Sequence, residues 1–171
     1  MQVLRALLPA LPALLFSACA LAEAGGPYRA LPGLDIRIFG CAPNPRHHVI
    51  ASERDLAAAL EKLSPHCRGP GFPSMKSGFL ASLEAADFAW DREALVVVSE
   101  WYGTGMARGS LVLGQSRPGV VEAAIAWKLP PPPHTPDTAV FRAAFAVRKG
   151  AVTTVSVTGK ERSPVILAVP R

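Results

Sequence analysis

Hydrophobic and polar positions alternate along much of the chain, and this pattern predicts a succession of β-strands. Asp35 to Gly40 (DIRIFG) has Ile36 and Ile38 in alternation and is expected to be a strand, as is the short segment His47 to Ala51. The continuous apolar run Ala94 to Ser99 (ALVVVS) predicts a central strand that is buried on both faces. Further strands are expected at 109–115, 120–129, 139–147, 151–158 and 165–169.

Helical signals are confined to the first half of the chain. Ser52 is the predicted N-cap of one helix, with Asp55 three residues later as in a capping box, and Pro65 ends it. Its expected buried stripe is Leu56, Leu60 and Leu63. A shorter helix is expected over Ser74 to Ala86. Its predicted inward-facing residues are Phe79, Leu80 and Leu83.

The last two long strand patterns suggest a β-hairpin. A three-residue loop, Arg148 to Gly150, keeps their apolar residues on one face and gives Gly150 the left-handed conformation of a bulge. The predicted pairs are Phe145 with Thr153, Ala143 with Val155 and Phe141 with Val157.

Together these elements predict an α+β fold: a mainly antiparallel β-sheet, as a sandwich or half-barrel, with one or two short helices in the N-terminal half. The 171 residues suffice for one domain, which we expect to span 35–171. Residues 25–34, rich in glycine and proline, are expected to form a linker. The four prolines at 130–133 predict a stiff, extended connection.

Residues 1–24 have the pattern of a secretory signal peptide: Arg5, then an apolar run, then small residues. Ala20-Leu21-Ala22 and Ala22-Glu23-Ala24 both suit cleavage that releases a free periplasmic or secreted protein. Phe16-Ser17-Ala18-Cys19 instead resembles a bacterial lipoprotein box, in which Cys19 would carry a lipid anchor in the envelope. Both interpretations predict export, and only the second predicts contact with a membrane.

Export makes the two remaining cysteines a candidate disulfide bond, Cys41 with Cys67. It would close a loop of about 26 residues and stabilise the fold by roughly 3–4 kcal/mol. The alternatives are two buried free thiols, or a reactive Cys67 beside His66.

The formal net charge is +5, but the arginines are scattered. Because no basic block alternates with aromatic residues, nucleic acid is not an expected partner. Acidic proteins or anionic lipids suit this charge better.

Motifs of known catalytic chemistry do not occur: the sequence has no phosphate-binding glycine loop, no HExxH and no GxSxG. His47 and His48 would point to opposite faces of a strand, so they do not predict a shared metal ion. Asp87 and Asp91 flank a turn that itself requires polar residues. We therefore expect a protein that is not an enzyme and that uses no metal or other cofactor.

The strongest candidate site is the connection that follows the apolar strand. Its residues are Trp101, Tyr102, Gly103, Thr104, Gly105 and Met106. Aromatic residues, a methionine and glycines on a loop are typical of a protein-binding surface. The alternative is that Trp101 and Tyr102 simply end the strand and that the glycines allow the turn.

The order of three segments, VIASERDLAAALEKL, DFAWDREALVVVS and YGTG, resembles the C-terminal domain of PrcB-type protease-complex subunits. The resemblance covers roughly His47 to Thr158. Those bacterial envelope proteins usually have Thr-Gly-Gly-aromatic where this chain has Thr104-Gly105-Met106-Ala107. The resemblance implies a non-catalytic accessory or binding domain whose partner is an envelope protein such as a protease.

Three functional hypotheses follow. The first is a non-catalytic protein-binding module. The second is a peptidase inhibitor that inserts the 101–106 loop into an active-site cleft. The third is a small-ligand-binding or hydrolytic domain, which a deep pocket lined by His47 or His48 with Asp91 would favour.

Overall fold

The computed structural model describes residues 26–41, 47–62, 69–133, 137–160 and 163–171. The described elements, in chain order, are β1 (Tyr28–Ala30), a 3-10 helix (Ile36–Cys41), β2 (His48–Ile50), α1 (Glu53–Glu61), α2 (Phe72–Ala85), β3 (Glu93–Tyr102), β4 (Arg108–Arg117), β5 (Val120–Lys128), β6 (Ala139–Arg148), β7 (Thr154–Thr158) and β8 (Val165–Ala168). In these ranges, neither α-helix has the length and hydrophobicity needed to span a membrane.

The strands form two four-stranded sheets. The first sheet has the order β1-β6-β3-β2 and is antiparallel throughout; the second has the order β4-β5-β7-β8, with one parallel pair, β5 and β7. One hydrophobic cluster lies between the sheets, and another lies between the helices and the first sheet. The predicted α+β class, with a mainly antiparallel sandwich and its helices in the N-terminal half, is confirmed.

Strand β3 lies in the interior of the first sheet, as its apolar run predicts. Leu95 and Val97 belong to the cluster below the helices, whereas Val96 and Val98 belong to the cluster between the sheets. All four side chains are fully buried. The strand is therefore the layer that both cores share.

Both predicted helices are present. Ser52 caps α1, and its hydroxyl accepts a hydrogen bond from the Asp55 amide at 3.1 Å. In α2 the prediction for Leu80 is wrong, because this side chain is 43% exposed. The inward stripe instead has a spacing of three to four residues. It consists of Phe72, Met75, Phe79 and Leu83.

The strand predicted over Asp35 to Gly40 is also wrong, since Ile36–Cys41 is a 3-10 helix. The Asp35 carboxylate accepts a hydrogen bond from the Arg37 amide at 3.2 Å, which favours a turn over an extended chain. Ile38 and Phe39 are both buried in the same cluster, although alternation in a strand would place neighbours on opposite faces.

The predicted hairpin between the last long strands does not form. Strand β6 pairs with β1 on one side and β3 on the other, so neither of its edges is open to β7. The chain crosses to the second sheet instead, where the Gly119 carbonyl accepts hydrogen bonds from the Thr153 and Thr154 amides. Gly150 has φ +78°, so its predicted left-handed conformation is correct, but the turn joins two sheets.

The apolar alternation that suggested the hairpin serves the sandwich. Phe145 and Val147 belong to the first sheet and Val155 and Val157 to the second, and all four lie in the cluster between the sheets. The two pairs therefore face each other across the core; they are not neighbours within one sheet.

Several predictions concern segments that lie partly or wholly outside the described residues. The predicted linker 25–34 contains β1, which pairs with the edge of β6. The signal peptide, the lipidation candidate Cys19, and Cys67 of the Cys41–Cys67 disulfide lie outside the described residues. Leu63 and His66 do so as well.

Candidate functional site

The predicted loop divides into a strand end and a true connection. Trp101 and Tyr102 are the last residues of β3, paired with Val140 and Ala139 of β6. Gly103 to Ala107 connect β3 to β4. The strand-end interpretation therefore describes the position of the two aromatic residues, and the loop interpretation describes the rest.

Exposure divides the same residues differently. Trp101 is 45% exposed and Met106 is 39% exposed, whereas Thr104 is only 5% exposed. Tyr102 is half-buried, and its ring lies 5.1 Å from that of Trp127 between centroids. Two of the six residues thus offer large apolar surface to solvent.

Hydrogen bonds hold the connection between β3 and β4 in place. The Gly105 amide donates a hydrogen bond to the Asp137 carboxylate at 3.3 Å, and the Ala107 amide donates to the Thr104 carbonyl at 3.1 Å. A β-carbon at Gly105 would overlap the Asp137 carboxylate, so a larger residue would have to displace this side chain and break its hydrogen bond. The exposed side chains therefore lie on a connection with defined anchors.

A groove lies beside this connection. It has a volume of about 530 Å³, and its lining, the loop groove, is Gly105, Met106, Arg108, Lys128 and Pro130. Arg108 and Lys128 are directly opposite in the β4–β5 register, so their side chains leave the same face of the second sheet. Among the described residues neither forms an ion pair. The groove thus combines apolar surface with two cations that form no ion pair within the described part of the chain.

Thr104 offers a test of how the connection is built. Its buried hydroxyl has no hydrogen-bond partner among the described residues. Since a buried, unsatisfied hydroxyl is destabilising, we expect Thr104→Val to raise the free energy of unfolding by about 1 kcal/mol, measured by urea denaturation. Thr104→Ser keeps the hydroxyl and loses a methyl group, so it should lower stability. A Thr104→Val variant less stable than the wild type would contradict the assignment.

Glu100 joins the two sheets behind this surface. Its carboxylate accepts hydrogen bonds from the Trp127 indole N–H at 2.6 Å and from the Lys160 amide at 2.8 Å. His47 lies nearby, and its Nδ1 accepts a hydrogen bond from the Ser99 amide at 3.3 Å. Burial lowers the pKa of His47, although the Glu100 charge opposes this. The histidine is thus neutral at pH 7 and hydrogen-bonded to the first sheet.

A second site lies at the other end of β3, around the turn that precedes it. The cavity there has a volume of about 700 Å³. Its lining, the charged cleft, is Arg29, Asp87, Asp91, Arg92, Glu93, Arg148 and Lys149. The sequence favours a turn role for Asp87 and Asp91 over a functional carboxylate pair. Arg29 and Arg148 could not be linked to them by a local motif, because tertiary folding brings β1 and β6 to this turn.

The ion pair of Arg29 and Glu93 organises this cleft. Nε and Nη2 of Arg29 donate to the two Glu93 carboxylate oxygens at 2.7 and 2.8 Å. These hydrogen bonds, and a further one from the Ala89 amide, hold the pKa of Glu93 below its ordinary range, against the effect of burial.

This lowered pKa predicts a specific pH dependence of stability. The stabilisation from ionised Glu93 is complete above the ordinary glutamate pKa, and it is lost as the pH falls through the lower folded-state pKa. The free energy of unfolding should therefore fall more steeply from about pH 5 to about pH 3 in the wild type than in Glu93→Gln. Asp35, whose pKa Arg37 lowers, remains in both proteins, so the difference isolates Glu93. Parallel pH curves from urea denaturation would contradict the prediction.

Comparisons of the chain with family models, with curated proteins and with solved structures gave no match.

Proposed function

We propose that this protein is an exported, non-catalytic binding domain of the bacterial envelope that captures an envelope protein at the end of its sandwich where β3 meets β4. The observation that carries this proposal is that exposed apolar side chains gather at one end of the sandwich, where Met106 lines a groove with Arg108 and Lys128, which have no ion-pair partner among the described residues. Export is supported by the signal-like pattern of residues 1–24.

Large apolar side chains are concentrated at this end. Eight are exposed among the described residues, and four of them lie at the ends of β3 and β5, in the following connection, or at the start of β6. These four are Trp101, Met106, Leu129 and Val140. Trp101 and Val140 are cross-strand partners, so they form one continuous surface. Tryptophan is the residue most enriched among the strong contributors to protein interfaces, so Trp101 is the expected anchor.

The charge of the loop groove specifies the partner further. Like charges directly opposite on adjacent strands repel, and an acidic partner would relieve this repulsion at Arg108 and Lys128. We therefore infer that the part of the partner that contacts Met106 in the loop groove places a carboxylate next to an apolar side chain. Such complementarity mainly accelerates association and weakens with added salt.

The testing experiment is affinity capture from envelope extract, followed by measurement of the dissociation constant for the recovered partner. The double variant Trp101→Ala/Met106→Ala should weaken binding about tenfold to a hundredfold. The matched control is Leu80→Ala/Ile166→Ala, which removes exposed apolar side chains from α2 and β8 and should bind like the wild type. Equal binding by both double variants would rule out this surface.

The charge of the partner is tested separately. Arg108→Glu/Lys128→Glu should slow association and reverse the effect of added salt on its rate, while Trp101→Ala/Met106→Ala should mainly accelerate dissociation. An unchanged association rate in the charge variant would show that the cations face solvent in the complex.

The peptidase-inhibitor hypothesis receives less support from the geometry. Thr104, which a wedge-like loop would present to an active site, is buried, and the Asp137 carboxylate holds Gly105. Met106 is the one large side chain that the connection exposes. A broad surface that includes Trp101 and Val140 suits docking better than insertion.

A further inference from the structure

On one side of the charged cleft at the start of β3, the charged side chains are already paired within the fold. Beyond its ion pair with Glu93, Arg29 donates hydrogen bonds to the Ala86 and Asp87 carbonyls at 2.9 and 3.1 Å. These carbonyls lie at the C-terminal end of α2, where cations are favourable. Arg29 is thus fully used by the fold, and it fixes the end of the helix against the sheet.

The other arginines that line the cleft, Arg148 and Arg92, do not form a comparable buried ion pair within the described residues. Arg148 is the cross-strand neighbour of Glu93, but both Glu93 oxygens are occupied by Arg29. Among the described residues the Arg148 side chain has no ion-pair partner. Arg92 lies 3.8 Å from the Asp91 carboxylate, and both side chains are largely exposed, so this contact is weak. Two guanidinium groups are therefore available to an anion as far as the described residues show.

Asp87 is an unusual residue for its position. It follows α2 with φ +48°, the left-handed conformation that glycine adopts most readily at the end of a helix. Its negative charge also lies at the negative end of the helix dipole. Aspartate tolerates this conformation better than most side chains, and the Arg29 guanidinium lies close enough to interact with its charge. Glycine would still be less strained there and would avoid the unfavourable dipole. Its carboxylate lines the same cleft as Arg92 and Arg148.

We propose that the charged cleft binds a small zwitterion, a free amino acid or a short peptide, with its carboxylate on Arg148 and Arg92 and its ammonium group on Asp87. Planar guanidinium groups suit a carboxylate because they donate two parallel hydrogen bonds. The cavity volume of about 700 Å³ falls within the usual range of small-ligand sites. This site is independent of the proposed protein-binding surface, since eight residues of extended strand, about 26 Å, separate Glu93 from Trp101.

Signals from the two ends of β3 make a spatially resolved test. Arg92 and Lys149 line the cleft, whereas Trp101 and Trp127 lie at the opposite end of β3. In a nitrogen-15 NMR titration of the purified protein with alanyl-alanine, the backbone amide signals of Arg92 and Lys149 should shift saturably, with a dissociation constant of about 10 µM to 1 mM. The Trp101 and Trp127 indole signals should stay in place.

Changes to the ligand separate the two halves of the site. N-acetylated and C-amidated alanyl-alanine should each bind at least tenfold more weakly than the free dipeptide. Sodium sulfate at the same ionic strength should not reproduce the shift. If sulfate does reproduce it, or if the capped dipeptides bind as well as the free one, the site is a nonspecific anion site and the proposal is overturned. So is it if about 10 mM dipeptide produces no saturable shift.

Variants assign the roles. Arg148→Gln should weaken binding of the free dipeptide at least tenfold, and Asp87→Asn should remove the preference for the free over the acetylated ligand. Asp87→Gly should raise the melting temperature while losing the same preference. The matched control is Arg54→Gln, an exposed arginine on α1 that does not line the cleft. Retention of the ligand preference in both Asp87 variants, with an intact indole spectrum, would overturn the assignment of the ammonium site.

Discussion

Phe145→Ala is expected to lower the free energy of unfolding by about 3–5 kcal/mol, because it leaves a cavity that the surrounding strands fill only partly. Phe145 is fully buried in β6, opposite Val96 in the register of the first sheet. It also lies in the cluster that joins the two sheets, with Val121 and Val155 on the far side. Its removal therefore weakens contacts within one sheet and between both.

Urea denaturation measures this loss. The matched control is Ile166→Ala on β8, where the side chain is 62% exposed, and the change should stay within about 0.5 kcal/mol. Phe145→Leu should fall between the two, since it keeps most of the apolar volume. A loss below about 1 kcal/mol for Phe145→Ala would contradict a core packed between two sheets.

Local pattern was sufficient for most elements of this fold. The Ser52 cap and the leucine spacing predict α1, and both are found in the structure. The valine-rich run predicts a strand buried on both faces, and β3 lies between two hydrophobic clusters. These predictions succeeded because capping and periodicity depend on residues close together in the chain.

The arrangement of the strands was not available from local pattern. The alternation in β6 and β7 is the same whether the strands pair or face each other across a core. What decides between the two is the occupation of both β6 edges, by β1 from the beginning of the chain and by β3 from its middle. Strand β1 lies within the predicted linker, so the sequence did not predict a strand that pairs with this edge of β6 in place of β7.

The candidate sites divide in the same way. Trp101 and Met106 are sequence-predicted residues that the structure exposes, whereas Arg108 and Lys128 become a pair only through the β4–β5 register. In the charged cleft, Arg29 and Glu93 are 64 residues apart. Charged residues that converge through tertiary structure carry no local signature, which is why the cleft was not predicted.

Glu100→Ala is expected to lower the free energy of unfolding by about 1–3 kcal/mol, because a half-buried indole donor and an exposed backbone amide both lose a charged acceptor. These donors are the Trp127 indole and the Lys160 amide. Trp127 belongs to β5 and Lys160 follows β7, and both strands lie in the second sheet, whereas Glu100 belongs to β3 of the first sheet. A β-carbon at Gly159 would overlap the Glu100 carboxylate, so the chain approaches this group closely. The carboxylate therefore acts as a tie between the two sheets.

A double-mutant cycle with Trp127→Phe isolates that tie, because phenylalanine keeps an aromatic ring beside Tyr102 but has no N–H to donate. The coupling energy between Glu100→Ala and Trp127→Phe should be about 0.5–3 kcal/mol. Glu122→Ala, an exposed carboxylate on β5, should change stability by no more than about 0.5 kcal/mol. A coupling energy near zero would show that the two side chains stabilise the fold separately. A coupling energy within the expected range would mean that the Glu100 carboxylate holds the packed rings of Tyr102 and Trp127 in place. Because Tyr102 is next to Trp101 in β3, Glu100→Ala should then also weaken partner binding, although Glu100 itself is not expected to contact the partner.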